Sequence, residues 1–356
     1  MRLTYERLDC IAQFNADYDA HAVHALVDEN HKPIIATFVH REGRIGMSGK
    51  NGAVIKSLGG TRFWKYDNDQ LAIKDGLRLG SAMSKKAASL GYDIGGAKTV
   101  IFAHNMREDA LPEVLNAFGQ KLLPKIGTYM TAEDVNIKLL HMVYLRERAP
   151  KGVVGGYSHD VSATTARGVV IGIKAALDVV FGSIFAMGDY GYAVRGVGSV
   201  GKHIVNMLYD LGSRRIIIAD PTDGRAKDVA AERDGIYIVS SDEIYDAHAD
   251  VFVPCALGGS INESIIDRMS TYVVAGCENN QLATAKDGLM LHKAGHVYAP
   301  DYIINAGGLV DVVSTSITGQ PIDDQLFTIG ETLKQILTES KRTNTPPSMI
   351  ADNMVK

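Results

Sequence analysis

The segment Gly196-Val-Gly198-Ser-Val-Gly201 constrains what this chain can fold into more than any other feature. An apolar run, Tyr192-Ala-Val, precedes it, and a helical stretch from Val200 to Leu211 follows. A second apolar run, Arg215-Ile-Ile-Ile-Ala, ends at Asp220, 19 residues beyond Gly201. Strand, glycine turn, helix, strand and terminal acid together specify a parallel βαβ unit. Gly196 permits the tight turn, Gly198 lets backbone approach a ligand closely, and Gly201 lets the helix sit close to the strand. The helix start offers unpaired N–H groups and a partial positive charge, which suit a pyrophosphate. The unit therefore predicts a dinucleotide site, with Gly196, Gly198, Ser199, Val200 and Gly201 around the phosphates and Asp220 accepting from ribose hydroxyls. Asp220 would repel a 2′-phosphate, so NAD is expected over NADP, although Arg225 nearby weakens that preference slightly.

The same rhythm continues downstream. Ile236-Tyr-Ile-Val, Val251-Phe-Val, Tyr272-Val-Val-Ala and Val297-Tyr-Ala are short apolar runs separated by helical stretches, the pattern of a parallel sheet covered on both faces. Upstream, His21-Ala-Val-His-Ala-Leu-Val and Pro33-Ile-Ile-Ala-Thr-Phe-Val read as strands, with Gly43, Gly46, Gly49 and Gly52 marking loops. Asp67 to Ala87 reads as a helix capped by Asp67 or Asn68, followed by a glycine loop, Gly95-Gly-Ala-Lys98, and a strand from Thr99. Helices are expected near 109–124 and 135–146, and again from Ser162 through Ala176. With 356 residues, two domains are expected. The fold class is α/β: an N-terminal α/β substrate domain over 1–150 and a Rossmann-type domain over 151–324, divided by a cleft. The glycine-rich stretch from Lys151 marks the crossing, and helices within 325–356 are expected to pack back on the first domain.

Composition narrows the function. A net charge of −4 gives no electrostatic reason to expect nucleic acid or an anionic membrane surface. No apolar stretch reaches the roughly 18 residues of a membrane helix, and no apolar signal core follows Met1. Cys10, Cys255 and Cys277 form no CxxC pair and are expected to be reduced thiols in a cytoplasmic protein. His292 and His296 have a metal-like spacing, but no third ligand is evident and no metal is expected.

Lys86 and Lys98 lie 12 residues apart, the second directly after Gly95-Gly-Ala. Close packing there would desolvate an ammonium and lower its pKa, which suits a general base. Two surface lysines read equally well from these residues alone. The wider pattern is more specific. Leu58-Gly-Gly-Thr-Arg62, Met83-Ser-Lys-Lys86-Ala-Ala, Gly95-Gly-Ala-Lys98-Thr-Val-Ile, Thr131-Ala-Glu-Asp134-Val, Pro254-Cys-Ala-Leu-Gly258, Asn279-Asn-Gln-Leu and Tyr298-Ala-Pro-Asp-Tyr-Ile-Ile-Asn305-Ala-Gly-Gly308 run in order through the chain. In these motifs it resembles the leucine, phenylalanine and valine dehydrogenases, relatives of glutamate dehydrogenase.

The resemblance implies a reaction: an amino acid loses a hydride to NAD, and the imine is hydrolysed to a 2-oxo acid and ammonia, reversibly. It implies that Lys86 binds the substrate carboxylate, Lys98 activates water, and Asp134 exchanges a proton with the amino group. Gly59 and Gly60 would supply close backbone around the carboxylate. Thr165 and Asn305 would place the nicotinamide end and the substrate, and Ala256 and Asn280 would lie along the cofactor. The side-chain pocket would fall on Leu58, Ala132, Leu309 and Val312, all apolar, which favours an aliphatic or aromatic substrate over glutamate. The alternatives are a glutamate-type dehydrogenase and a non-catalytic NAD-binding relative. A homo-oligomer is also implied.

Four residues depart from the pattern: Ala97 for a glycine, Ala163 for a proline, Arg167 for an apolar residue, and Asp311 for a neutral one. Asp311 reads either as an acceptor for a polar substrate group, such as an indole N–H, or as a solvated or helix-capping carboxylate. Residues before 55 match the family poorly.

Overall fold

The computed structural model describes residues 2–9, 21–41, 46–49, 52, 54–154, 160–222, 224–256 and 258–355. Cys10, Gly43 and the last part of the expected crossing, 155–158, lie outside the described residues. The chain forms two compact units, Met1–His159 with Thr315–Gly319, and Asp160–Ser314 with Gln320–Lys356.

The first unit contains β1 (Thr4–Arg7), β2 (His21–Val27), β3 (Pro33–His40), the short pair β4 (Met47–Ser48) and β5 (Val54–Ile55), β6 (Ser57–Trp64), α1 (Asp69–Ser89), β7 (Gly95–Phe102), α2 (Leu111–Ala117), α3 (Leu123–Ile126), β8 (Tyr129–Glu133) and α4 (Leu139–Arg148). Its main sheet has the order β1-β2-β3-β7-β6-β8. The first four strands pair antiparallel, and β6 pairs parallel with both β7 and β8. Strand alternation sends Val23, Ala25, Ala36, Phe38, Val100 and Phe102 to one face, where they meet Ala72, Ile73 and Leu77 of α1. Leu26, Ile35, Val39 and Ile101 point the other way, against Phe118, Leu122, Met142 and Leu145. Asn68 caps α1 by accepting the Leu71 N–H.

Three local expectations change here. Gly95-Gly-Ala-Lys98 is the first half of β7, not a loop. Its glycine serves helix contact rather than a turn: a Cβ on Gly96 would lie 2.2 Å from the Ser84 nitrogen and 2.3 Å from the Gly80 oxygen of α1. The helix expected over 109–124 is broken into α2, a π-helical stretch Phe118–Leu122, and α3. Pro124 has no N–H to continue the regular ladder there. The helix expected from 135 starts at Leu139, after β8.

The second unit contains α5 (Val161–Phe181), β9 (Tyr192–Arg195), α6 (Ser199–Asp210), β10 (Ile216–Ala219), α7 (Arg225–Ala231), β11 (Ile236–Ile238), β12 (Val251–Pro254), α8 (Glu263–Ile266), β13 (Val273–Val274), α9 (Ala285–Lys293), β14 (Val297–Tyr298), α10 (Asp301–Ile304), α11 (Gly307–Val312), α12 (Ile322–Thr343) and α13 (Pro347–Met354). All its strands pair parallel, in the order β11-β10-β9-β12-β13-β14. This is a doubly wound sheet whose order reverses between β9 and β12, where such folds bind ligands.

The terminal helices group with this second unit, where the sequence reading packs 325–356 on the first domain. The amphipathic α12 buries Leu326, Ile329, Leu333, Ile336 and Leu337. Its apolar face finds a partner in the small-residue helix α5. A Cβ on Gly168 would lie 2.9 Å from Ile329, and one on Gly330 2.8 Å from Ile171. Arg167 of α5 pairs with Asp323 of α12, which gives that exposed arginine a structural partner. The two units divide at 159/160, 314/315 and 319/320, where the sequence reading places the divisions at 150/151 and 324/325.

Candidate active site

In the first unit, β6 lies between β7 and β8, so residues from both neighbours converge over its glycines. Lys98 sits on β7, and Asp134 directly follows β8. The Lys98 Nζ lies 2.9 Å from Asp134 Oδ1. The β6–β7 register runs Ser57 with Gly95 and Leu58 with Gly96, then resumes at Thr61 with Thr99. At the gap, a Cβ on Gly59 would fall 1.7 Å from the Ala97 oxygen, and one on Gly60 2.8 Å from the Asp134 Cβ. Any side chain at either position would push the lysine strand or the aspartate aside.

The electrostatics are unusual for a surface pair. Burial depresses the Lys98 ammonium below the ordinary lysine range, Asp134 opposes that, and the Arg62 cation adds to it. Burial works to raise the Asp134 carboxyl, but Lys98 and Arg62 outweigh it and hold the group below the usual carboxylate range. Arg62 received no role from its place in Leu58-Gly-Gly-Thr-Arg62. Its Nε donates to Asp134 Oδ2 at 2.7 Å, and its Nη1 donates to Asp75 Oδ2 at 2.8 Å. Asp75, on α1, also accepts from the Tyr66 hydroxyl at 2.7 Å and from Arg78 at 2.9 Å. Strand alternation was the available signal, because residues 58, 60 and 62 share one face of β6.

Lys86 lies in the last turn of α1 and is half-buried. Ser84 Oγ accepts the Gly96 N–H at 2.6 Å, tying that turn to β7 two residues before Lys98. Leu58 is buried on β6, and Ala132 is half-buried on β8 opposite Gly60.

In the second unit the glycine loop has the following geometry. Gly196 has φ of +97°, and a Cβ there would lie 2.8 Å from the Cys255 carbonyl and 2.9 Å from the Ala256 nitrogen. At Gly201 a Cβ would lie 2.0 Å from the Gly196 oxygen, so α6 rests directly on the turn. At Gly198 the nearest atom would be Arg225 Nη1 at 4.0 Å. Space is open at this one glycine, and α6, which begins at Ser199 and Val200, has no side-chain cap on its first N–H groups. Asp220 Oδ2 accepts the Val197 N–H at 2.9 Å and Oδ1 the Thr222 N–H at 2.8 Å. Arg225 Nη1 lies 3.2 Å from the same carboxylate. Burial alone would raise this carboxyl, but those N–H groups and Arg225 hold it low.

Ala256 and Asn280 both reach this end of the sheet. The Gly259 N–H donates to the Asn280 oxygen at 2.7 Å, and Asn280 has a left-handed φ of 54° with its N–H on Asp301. Asn305 is buried; its Nδ2 donates to Asn279 Oδ1 at 3.0 Å, while its Oδ1 has no partner among the described residues. Thr165 lies against Gly307 and Gly308, where Cβ atoms would come 2.8 Å from its Cα and 3.1 Å from its Oγ1. Leu309 is buried and Val312 half-buried on α11. Asp311 is buried at 1% exposure and accepts the Thr164 hydroxyl, so it is not a solvated carboxylate. An open Gly198, uncapped N–H groups on α6 and an orphaned Asn305 carbonyl oxygen fit a dinucleotide with a carboxamide head.

Among the described residues, no three metal-ligating side chains cluster. His292 Nε2 meets Asn344 at 3.1 Å, and His296 Nδ1 meets the Thr271 oxygen at 2.6 Å. No described helix is long and apolar enough to cross a membrane.

Comparison with known proteins matches this architecture. The family model for the Glu/Leu/Phe/Val dehydrogenase dimerisation domain matches residues 49–151, and that for glutamate/leucine/phenylalanine/valine dehydrogenase matches 223–339. Leucine dehydrogenase of Geobacillus stearothermophilus is 36% identical over 306 residues, covering 84% of this chain and 82% of the relative. Phenylalanine dehydrogenase of Lysinibacillus sphaericus is 36% identical over 263 residues, covering 72% and 68%. The solved structure of L-tryptophan dehydrogenase from Nostoc punctiforme superposes with a TM-score of 0.75 at 30% identity, covering 90% of each chain. A doubly wound sheet, an ordered set of shared motifs and relatives matched over most of their length thus lead to one conclusion: the chain belongs to the Glu/Leu/Phe/Val family of amino-acid dehydrogenases.

Proposed function

We propose that this enzyme catalyses the reversible, NAD-dependent oxidative deamination of an amino acid with an apolar side chain. The carrying observation is the pair of buried Lys98 with half-buried Asp134, 2.9 Å apart and braced by Arg62. Lys86 takes the substrate carboxylate. Asp134 accepts a proton from the substrate amino group, and Lys98, its ammonium depressed by burial, takes a proton from the water that attacks the imine. Bound NAD supplies the hydride acceptor. Gly196, Gly198, Ser199, Val200 and Gly201 hold its pyrophosphate, Asp220 its ribose, and Thr165, Ala256, Asn280 and Asn305 its remaining length. Asp220 favours NAD because a carboxylate repels a 2′-phosphate.

Leu58, Ala132, Leu309 and Val312 offer no cation to a second substrate carboxylate, which supports an aliphatic or aromatic amino acid. Thr164 already occupies Asp311, which supports a packing role for that carboxylate rather than a substrate contact. The matched dimerisation domain supports a homo-oligomer. The free thiols of Cys255 and Cys277 suit a reducing cytoplasm.

The test is a 340 nm assay over the common amino acids, with NAD and with NADP, and with Lys98→Ala as control. We expect turnover of leucine, phenylalanine or tryptophan with NAD, and its loss in the variant. Turnover restricted to glutamate would instead support the glutamate-type alternative. Silence across the whole panel would support a non-catalytic relative.

A further inference from the structure

Glu278 has no part in the chemistry described above, yet it is 1% exposed and lies at the carboxyl end of the parallel sheet. Its own N–H donates to the Pro254 oxygen at 3.0 Å, which fixes it beside the end of β12. Its Oε1 accepts the Ser260 N–H at 3.1 Å. Its Oε2 lies 3.7 Å from Arg195 Nη1. Arg195 is the last residue of β9 and directly precedes Gly196. One carboxylate therefore touches both sides of the crevice where the strand order reverses: the glycine turn through Arg195, and the backbone at Ser260 through its N–H.

We propose that Glu278 is a positioning residue for the dinucleotide: ionised, it holds the Gly196 turn and the Ser260 backbone in register, and protonation releases both and weakens binding. This rests on the dinucleotide reading above. A buried ionised carboxylate is a strong acceptor and a counter-charge for Arg195, and the neutral acid is neither. Buried polar atoms of this cluster lack partners among the described residues, namely Arg195 Nε and Nη1, Glu278 Oε2 and Ser260 Oγ, so the carboxylate is not locked by a full set of bonds. Burial pushes the Glu278 carboxyl up to about 7, against the pull of Ser260 and Arg195.

The neighbouring groups come from every surrounding element. Arg195 on β9 brings its guanidinium to the carboxylate. Tyr245, whose ring lies 5.4 Å from the Arg195 guanidinium, is raised by burial, as is Tyr298 at the end of β14. The Cys277 thiol is raised by its contact with Cys255 and by burial.

The experiment is fluorescence titration of the full-length protein with NADH from about pH 8 to about pH 6. In the wild type we expect Kd to rise about fivefold over that range as the charge-assisted contacts are lost. Glu278→Gln should bind at pH 8 about as weakly as the wild type does at pH 6, with no further change on acidification. Glu278→Asp, which keeps a carboxylate, should recover a pH slope. A flat wild-type titration overturns the proposal even if the glutamine variant fails to fold, and so does a glutamine variant with the wild-type slope. Failure of the wild type to bind NADH at any pH overturns the dinucleotide reading itself, and this inference with it.

Discussion

Arg62 donates through Nε to Asp134 Oδ2 at 2.7 Å, on the opposite oxygen from the one that faces Lys98. The carboxylate is thus held from two sides, and its plane is set before any substrate arrives. Arg62 reaches Asp75 with Nη1 at the same time, so the clamp is anchored on α1. Removing it in Arg62→Ala should cost the equivalent of a charged hydrogen bond, about 1.5–3 kcal/mol. We expect kcat/KM to fall about 10- to 100-fold and the melting temperature to drop with it. Arg62→Lys should recover little, because an ammonium lacks the planar fork that spans Asp134 and Asp75 together. Steady-state kinetics with melting curves check this, and an unchanged kcat/KM in Arg62→Ala would show that Asp134 needs no clamp.

Lys98 sets a pH dependence whose sign follows from its burial. The ammonium is depressed, so the neutral form, which in the proposed mechanism accepts the proton from water, becomes available at lower pH than in an exposed lysine. Activity should therefore rise with pH along a limb whose midpoint lies below about 10.4, the ordinary lysine value. Lys98→Arg keeps a cation beside Asp134 but cannot lose its proton. We expect it to lack the limb and to lose about 10²- to 10⁴-fold in rate. The check is kcat/KM against pH for both proteins; a surviving limb in Lys98→Arg would assign it to another group.

The nucleotide-binding half was largely legible because its glycines come with their own strand, helix and acid. The strand order β11-β10-β9-β12-β13-β14 was not, since nothing local says which strands become neighbours. Gly95-Gly-Ala-Lys98 misled for a physical reason. Glycines punctuate loops, but they also mark strands on which a helix rests, and Gly96 lies under Gly80 and Ser84. The apolar face of α12 was readable as a stripe, while its partner α5 was not. Arg62 and Asp75 lie 13 residues apart on a strand and a helix, and only the fold makes them meet.

Two glycines of one loop should fail in different ways. A Cβ at Gly201 would lie 2.0 Å from the Gly196 oxygen, so Gly201→Ala must move α6 or the turn. Overpacking of this kind costs about 1–3 kcal/mol, or several degrees of melting temperature in a domain of this size. Gly198 has φ of −68° and open space where its Cβ would point. Gly198→Ala should melt like the wild type yet bind NADH about tenfold more weakly, because the methyl would stand where the proposed site brings the pyrophosphate. Melting curves and NADH titration separate the two effects. A destabilised Gly198→Ala with normal affinity would argue against a ligand at this turn.

Thr164 and Asp311 pair out of contact with water, and the carboxylate is 1% exposed. Deleting the hydroxyl in Thr164→Val leaves a buried acceptor one donor short, which should cost about 1–3 kcal/mol of stability. Removing both groups, in Thr164→Val with Asp311→Leu, should cost less than the two single changes summed, because the Thr164–Asp311 bond is then lost once rather than twice. Urea unfolding of the four proteins measures that coupling. Substrate preference supplies the second arm. If Asp311 serves the packing of α11 on α5, Thr164→Val should leave the ratio of kcat/KM for tryptophan to that for leucine within about twofold of the wild type, since substrate contacts shift such ratios by more. A tenfold change in that ratio with unaltered stability would move Asp311 from the framework to the substrate pocket.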